Sequence, residues 1–225
     1  MKTVNIAIDG PAGAGKSSLA KAVANKLGYI YIDTGALYRA VAYKALKLGL
    51  SVTDKCAVRE LLSHTSISFQ HIGGTQCVYV DDEDVNGKIR TNEVSSAASA
   101  VSAIPEVRSF LLGLQRDIAS KENIVMDGRD IGTVVLPNAD IKIFLTASIE
   151  DRARRRYEEQ KNSSDAVSYE EIKSTMKIRD KNDSERDVAP LKPAEDAVLL
   201  DNSGFEPHQT LEAAMKIIEN KLNVI

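Results

Sequence analysis

A glycine-rich stretch near the N-terminus, Gly10 to Ser18, constrains this chain more than any other feature. Its residues, GPAGAGKSS, fit the pattern G-x-x-x-x-G-K-[ST] of a phosphate-binding loop. Alternating apolar residues before it, at 4–9, predict a buried strand, and the apolar spacing of 17–27 predicts a helix that ends at Gly28. Strand, loop and helix therefore stand in the order that the motif requires, which a glycine-rich turn without a ligand would not need.

The residue types of this loop suit a bound triphosphate. Small residues let backbone N–H groups converge on phosphate oxygens, at the positive end of the following helix. Lys16 can reach the β- and γ-phosphates, and the Ser17 hydroxyl can ligate Mg²⁺. We therefore predict a nucleoside triphosphate site built from Gly10, Pro11, Ala12, Gly13, Ala14, Gly15, Lys16, Ser17 and Ser18.

Composition narrows the class of protein. A formal charge of −3 over 225 residues argues against non-specific nucleic-acid binding. The two cysteines, Cys56 and Cys77, form no C-x-x-C pair, so neither a disulfide framework nor a zinc site is predicted. The first strand begins too early to leave room for a signal peptide, and no apolar run reaches the length of a membrane span. We expect a cytoplasmic monomer that binds neither nucleic acid nor membranes.

The apolar runs predict an α/β fold. Segments with helical periodicity separate them, which is the βαβ pattern of a parallel sheet covered on both faces. Ligands bind at the carboxyl ends of such strands, where several runs carry an aspartate. We predict a P-loop NTPase-type parallel sheet of about five strands, formed by 4–9, 29–33, 124–127, 141–146 and 197–201.

Two segments depart from this pattern. Residues 67–90 read as two strands around Gly73-Gly74 and further turns, which predicts a small inserted antiparallel sheet. The acidic run 81–84 in it suits a solvated turn better than a metal site. Residues 151–187 are rich in charge and poor in apolar residues, which predicts a helical flap whose arginines meet phosphates on closure.

These segments divide the chain into three predicted parts. They are a core P-loop domain (1–33, 103–150 and 188–225), a monophosphate-binding region with the inserted β subdomain (34–102) and a lid (151–187).

Charged residues at the predicted strand ends suggest the remaining site. Asp127 ends an apolar strand, as expected of the carboxylate that holds Mg²⁺ in a P-loop enzyme. Arg129 and Asp130 follow in a glycine-flanked loop, where a structural turn salt bridge is the alternative to substrate binding. Arg39 falls one turn into the helix after the second strand, where it binds phosphate or is merely a solvated residue.

Five sequence blocks make the chain resemble the nucleoside monophosphate kinases, and among them the bacterial cytidylate kinases. The resemblance covers nearly the whole chain, and the last three blocks are more specific than the loop, which many P-loop proteins share. The blocks are GPAGAGKSS from Gly10, IDTGALYR ending at Arg39, the segment from Ser99 through Arg108, MDGRDIGTVV from Met126 and IRDKNDSERDVAPL from Ile178.

The resemblance implies a role for each matching residue, with ATP and Mg²⁺ as cofactors and CMP or dCMP as substrate. Many relatives have serine in place of Thr34, so the hydroxyl is kept there. The implied ligands are Ser99, Arg108, Asp130 and Thr34 for cytosine, Arg179 and Asp183 for ribose, Arg39, Arg129 and Arg186 for the monophosphate, Arg155 for ATP, and Ser17 and Asp127 for Mg²⁺. The implied catalytic residues are Lys16, Arg39, Arg129 and Arg186.

The resemblance implies transfer of the ATP γ-phosphoryl group to CMP or dCMP, and two alternatives stay open. Another P-loop kinase, for a different nucleoside monophosphate or a metabolite, would keep Lys16 and Asp127 but would not need Asp130 paired with Arg108. A regulatory P-loop switch would carry an N-K-x-D motif for guanine, and the Asn-Lys pairs at 25–26 and 220–221 lack its aspartate.

Overall fold

A computed structural model describes residues 3–72, 75–162 and 167–222 of the chain. The chain divides into two compact units. The first unit comprises Met1–Thr3 and Ile30–Ile124, and the second unit comprises Val4–Tyr29 and Val125–Ile225.

The helices and strands of the described residues follow one another in the alternating order that the sequence predicts. In chain order they are β1 (Asn5–Asp9), α1 (Lys16–Leu27), β2 (Ile30–Asp33), α2 (Thr34–Lys47), α3 (Lys55–Ser63), β3 (Ile67–Ile72), β4 (Thr75–Val80), β5 (Glu83–Asp84), α4 (Asn92–Val101), α5 (Pro105–Lys121), β6 (Ile124–Gly128), a π-helical turn (Ile131–Val135), β7 (Ile141–Thr146), α6 (Ile149–Gln160), α7 (Tyr169–Glu185), β8 (Val198–Asp201) and α8 (Pro207–Leu222).

The strands form a five-stranded sheet and a small three-stranded sheet. In the larger sheet the order is β2-β6-β1-β7-β8, and β7 runs parallel to both β1 and β8. In the smaller sheet β4 pairs antiparallel with β3 and β5. The predicted fold class, a parallel sheet covered by helices with an inserted antiparallel sheet, is therefore confirmed. The predicted turn at Gly73-Gly74 lies outside the described residues.

The second unit carries the predicted strand, loop and helix of the phosphate-binding motif. In β1, residues 6–9 are buried, as expected of a central strand. Leu19, Ala20, Val23 and Ala24 form the buried face of α1. The helix ends at Gly28, which has a φ of 69° and donates its N–H to the carbonyl of Ala24. Glycine adopts this left-handed conformation without a steric penalty, so the predicted helix end is confirmed.

The first unit has a hydrophobic core that the sequence patterns revealed only in part. The core lies between α2, α4, α5 and the antiparallel sheet, with Leu37, Val101 and Leu111 fully buried. Helices α3 and α4 were not predicted. The sequence of α4 is a run of small residues, and its buried Ala97 and Ala98 let the helix join the core that α2 also enters.

The acidic run is only partly the predicted solvated turn. Asp81 and Asp82 lie in a turn with positive φ angles of 49° and 67°. Glu83, however, belongs to β5 and accepts hydrogen bonds from Lys88, five residues further along the chain, and from Lys47 of α2, which is 36 residues away. These interactions lower the pKa of Glu83 to about 2. The carboxylate thus helps to fasten β5 to α2.

The charged segment 151–187 contains helix α7 and most of helix α6. A small cluster around Ala153, Ile172 and Met176 joins the two helices, in keeping with their few apolar residues. Helix α7 begins with a capping box, in which Ser168 and Glu171 satisfy each other's backbone N–H groups. The two helices therefore have defined ends although they share only a small core.

Within the described ranges, no single helix combines the length and the hydropathy of a membrane span. A helix pair with a 100° bend, α4 with α5, meets those criteria by length and composition alone.

Candidate active site

The phosphate loop of the second unit takes a conformation that its glycines make possible. Gly10 has a φ of 150°, and a Cβ atom there would lie 1.9 Å from the carbonyl oxygen of Leu145. Gly13 has a φ of 74°, and a Cβ atom there would lie 2.9 Å from the Met176 side chain on α7. Larger residues at either position would therefore displace the loop from β7 or from α7.

Lys16 lies buried at the start of α1, and its Nζ donates a hydrogen bond to the carbonyl of Pro11 at 2.8 Å. Burial lowers the pKa of Lys16 well below its usual value, and the positive charges of Arg129 and Arg179 lower it further. The negative charge of Asp127 opposes this shift. The amine of Lys16 is thus held inside the loop, and the charge of a bound anion would favour its protonated form.

Ser17 and Asp127 stand together as a candidate magnesium site. The Ser17 hydroxyl donates to Oδ2 of Asp127 at 2.9 Å, and Asp127 is buried at the end of β6. A hydroxyl and a carboxylate suit Mg²⁺, which takes few protein ligands and completes its shell with water and phosphate oxygens. Within the described ranges, no group of three or more His, Cys, Asp or Glu side chains suited to a metal occurs.

Two ion pairs join the loop after β6 to helix α7 and to Arg186, the residue that follows it. Arg129 Nε donates to Oδ2 of Asp183 at 2.9 Å, and Nη2 of Arg186 lies 3.5 Å from Oδ1 of Asp130. All four side chains are at most one-fifth exposed. Arg129 and Asp130 therefore pair with α7 and the residue that ends it, and the predicted alternative of a local turn salt bridge between them is not observed.

Asp9, at the end of β1, holds the turn that follows Asp130. Its two carboxylate oxygens accept the N–H groups of Ile131 and Gly132 at 2.8 and 2.7 Å. Burial raises the pKa of Asp9 to about 6, partly offset by these two hydrogen bonds. The neighbouring Asp130 raises the pKa and Lys16 lowers it.

Two arginines of α6 attach this helix to the phosphate loop. Arg155 donates to the carbonyl of Asn202 at 2.8 Å and lies 3.4 Å from the carbonyl of Ala14. Arg152 donates at 3.0 Å to the carbonyl of Ala12 and at 2.6 Å to Asp180 on α7. Since Arg152 is buried and bonded to the protein itself, its observed role is structural, and only Arg155 remains from this pair as a candidate for ATP.

Replacing Arg152 by methionine should destabilise the second unit markedly. The substitution would leave Asp180 without its arginine, and breaking a largely buried ion pair costs on the order of 3 kcal/mol. Urea denaturation followed by circular dichroism would measure the loss. Arg154→Met is the matched control, because Arg154 is exposed and pairs with the nearby Asp151. Equal, small changes for both variants would contradict the structural role.

In the first unit, Arg39 is held at the start of α2. Asp33 caps this helix by accepting the N–H of Ala36, and its other oxygen accepts from Arg39 Nη2 at 2.8 Å. Gln76 of β4 fixes Asp33 by accepting its N–H at 2.8 Å. A Cβ atom on Gly35 would lie 3.0 Å from Arg39 Nη1, so the glycine leaves room for the guanidinium. This arginine is therefore preorganised rather than a solvated helix residue.

Ser99 and Arg108 of the first unit are linked through one residue. Arg108 donates to the carbonyl of Ser102 at 3.1 Å, and the Ser102 hydroxyl donates to the carbonyl of Ser99 at 2.8 Å. The Arg108 guanidinium also lies 5.6 Å from the centre of the Tyr38 ring on α2. Thr34, the first residue of α2, is buried. The four predicted base-binding residues are thus divided between the units, with Asp130 in the second.

Sequence patterns missed three residues that build these arrangements. Asp9 and Asp33 end predicted strands, so their positions were a signal, but nothing in the sequence identified their bonding partners. Arg152 is one of four arginines in five residues, and only its burial distinguishes it.

Comparison with known proteins shows which family this chain resembles over most of its length. The family model described as cytidylate kinase matches residues 6–220. A cytidylate kinase from Caldicellulosiruptor bescii is 48% identical over 99% of this chain and 100% of its own length. Another, from an Exiguobacterium species, is 49% identical over 97% of both chains. A solved gluconokinase structure from Sinorhizobium meliloti 1021 has a similar fold, with a TM-score of 0.51 at 16% identity, over 99% of this chain and 96% of its own.

Proposed function

The chain belongs to the cytidylate kinase family, and from this premise we propose that it transfers the γ-phosphoryl group of ATP to CMP or dCMP. The products are ADP and CDP or dCDP. The observation that carries the proposal is the second unit's cluster: a buried lysine in the phosphate loop, the Ser17–Asp127 pair, and arginines whose charges reach that lysine. Such a cluster suits a site that receives several phosphate groups.

We assign ATP to the phosphate loop, 10–18, and to Arg155. Backbone N–H groups of the loop bind the phosphate oxygens, and Lys16 neutralises charge on the β- and γ-phosphates. Ser17 and Asp127 hold Mg²⁺, whose charge stabilises the phosphate oxygens when it is bound. Arg155 lies beside the loop, where it contacts the carbonyls of Ala14 and Asn202.

We assign three groups of residues to the acceptor nucleotide. The monophosphate takes Arg39, Arg129 and Arg186, since guanidinium groups match the geometry of phosphate oxygens. The ribose takes Arg179 and Asp183, and the cytosine takes Thr34, Ser99, Arg108 and Asp130. Cytosine differs from uracil by an N4 amino donor and an unprotonated N3, so a carboxylate facing N4 and an arginine facing N3 or O2 favour it.

The ion pairs of the structure suit this assignment. Arg39, Arg129 and Arg186 each face a carboxylate, of Asp33, Asp183 and Asp130 respectively. A carboxylate neutralises a buried guanidinium until a phosphate takes its place. The same exchange frees Asp183 for the ribose and Asp130 for the base.

The reaction needs no general base, because the attacking phosphate oxygen is already ionised near neutral pH. Catalysis then depends on placing that oxygen in line with the γ-phosphoryl group and on neutralising negative charge. We propose that 151–187 acts as a lid that excludes water from the transfer, with 34–102 binding the monophosphate and the remaining segments forming the core.

The experiment that tests this function is Mg·ATP-dependent formation of ADP with a panel of acceptors. CMP, dCMP, UMP, AMP, GMP and a reaction without acceptor are compared for the wild type and Asp130→Ala. We expect turnover with CMP and dCMP, a lower rate with UMP, and a CMP preference that falls by about 5- to 150-fold in the variant. Asp187→Ala, an exposed aspartate just beyond α7, is the matched control. Equal or absent activity with all monophosphates would overturn the assignment.

A further inference from the structure

We propose that Asp9 is a positioning residue for base recognition, since its carboxylate holds the turn that begins after Asp130. This inference rests on the proposed function, in which Asp130 binds cytosine. Asp9 is not among the residues assigned above to either nucleotide.

The backbone geometry explains why the turn needs an external carboxylate. The first N–H groups of a helical turn have no carbonyl partner within it. Here Val134 and Val135 donate back to the carbonyl of Asp130, whereas Ile131 and Gly132 donate to Asp9. Asp9, at the end of β1, therefore caps the π-helical turn with its side chain.

In this arrangement the side chain of Asp130 does not cap the turn that follows it. An aspartate immediately before a helical turn commonly caps that turn with its own carboxylate. Within the described turn, Asp130 makes no such capping bond, and its carboxylate faces Arg186 at 3.5 Å instead. Because Asp9 meets the capping requirement, the Asp130 carboxylate can point toward a ligand.

The surroundings of Asp9 disfavour the ionised form of its carboxyl group. It is only 6% exposed, and its burial disfavours the charged form. The charged groups that bear on it are Asp130, which opposes ionisation, and Lys16, which favours it. Lys142 of β7 packs its stem against Gly132 and directs its ammonium to Asp196. An asparagine would avoid the buried charge, yet its NH₂ group, a donor, would replace the oxygen that now accepts one of the two N–H groups.

The test is the substitution Asp9→Asn, read as the ratio of kcat/KM for CMP to kcat/KM for UMP. We expect the ratio to fall about tenfold, because a freed N–H group draws Asp130 back to cap its own turn. Any effect on Lys16 or on ATP cancels in the ratio, since both substrates use the same phosphoryl transfer. In an Asp130→Ala background, Asp9→Asn should change the ratio by less than twofold.

Asp140→Asn is the matched control, because Asp140 also accepts a backbone N–H, from Asn5 at the other end of β1. Its CMP-to-UMP ratio should equal that of the wild type. Gly132→Ala gives a second approach should Asp9→Asn not fold, because its Cβ would lie 3.1 Å from Cδ of the buried Lys142, closer than ordinary packing allows. Since the Lys142 ammonium is held by Asp196, relieving this contact shifts the backbone of Gly132, whose N–H donates to Asp9. It should lower the ratio as well.

The outcomes separate this inference from the proposed function. A wild-type preference for CMP that survives both Asp9→Asn and Gly132→Ala would overturn the role of Asp9 and leave the kinase assignment intact. A wild type without any preference for CMP would overturn the proposed base recognition together with the role of Asp9. Amide hydrogen exchange adds a readout without substrate: the Ile131 and Gly132 amides should exchange faster in Asp9→Asn, and unchanged rates would contradict the capping.

Discussion

Replacing Lys16 by methionine should lower kcat for CMP phosphorylation by about 10²–10³-fold. Methionine keeps the length and much of the volume of the side chain but removes the charge from the β- and γ-phosphates, and the loss of one preorganised donor in a water-excluded site has this magnitude. The fold should tolerate the change, because burial already disfavours the charge of Lys16 in the absence of nucleotide. Steady-state ADP formation at saturating Mg·ATP and CMP measures the effect.

Lys21→Met is the control for this prediction, since Lys21 lies exposed on the same helix. It should leave kcat within about twofold of the wild type. If Lys16→Met retains more than a tenth of wild-type turnover while both variants show wild-type thermal unfolding, the lysine does not act on the transferred group. Such a result would also remove the main support for placing the triphosphate in this loop.

The parts of the fold that the sequence predicted are those governed by local rules. Alternating apolar residues before Gly10, helical spacing after Ser17 and a glycine at position 28 each specify a conformation through neighbours in the chain. The small residues of α4 carried no comparable signal. They become informative only once α2 lies against them, because close packing is what excludes larger side chains.

The candidate site shows the same division between local and long-range information. A motif located Lys16 and Ser17, and a strand end located Asp127. In contrast, Asp9 bonds to amides 122 and 123 residues away, and Arg152 bonds to a carbonyl 140 residues away. Sequence alone could place an aspartate at a strand end or an arginine in a charged helix. It could not state which backbone group the folded chain would bring to it.

Which arginines of α6 phosphates can reach depends on burial, and the sequence alone does not give the burial of each side chain. Arg152 and Arg154 are two residues apart, yet one is buried among backbone carbonyls and the other is exposed. Helical geometry explains the difference, since residues two apart point to different faces of α6. Counting charges in this segment therefore overestimates the number of arginines that phosphates can reach.

Replacing Arg129 by methionine should lower kcat/KM for CMP on the order of 10³-fold, the scale on which arginines that act on a transferred phosphoryl group contribute. The rate with UMP should fall by the same factor, because Arg129 is assigned to the phosphate, which the two nucleotides share. Equal losses would distinguish it from Asp130, whose removal changes the preference between the bases. Initial rates over a range of CMP and UMP concentrations provide both constants.

Arg129→Lys separates a loss of activity from a loss of folding stability, which Arg129→Met could also cause. Methionine leaves Asp183 with a buried, unneutralised charge, whereas lysine keeps the charge but not the planar fork that binds two phosphate oxygens. We therefore expect the lysine variant to unfold like the wild type and yet to recover only part of the lost rate. Arg154→Met serves as the exposed control. Full activity in Arg129→Lys would mean that a positive charge suffices at this position, and a loss confined to CMP would assign Arg129 to the base instead of the phosphate.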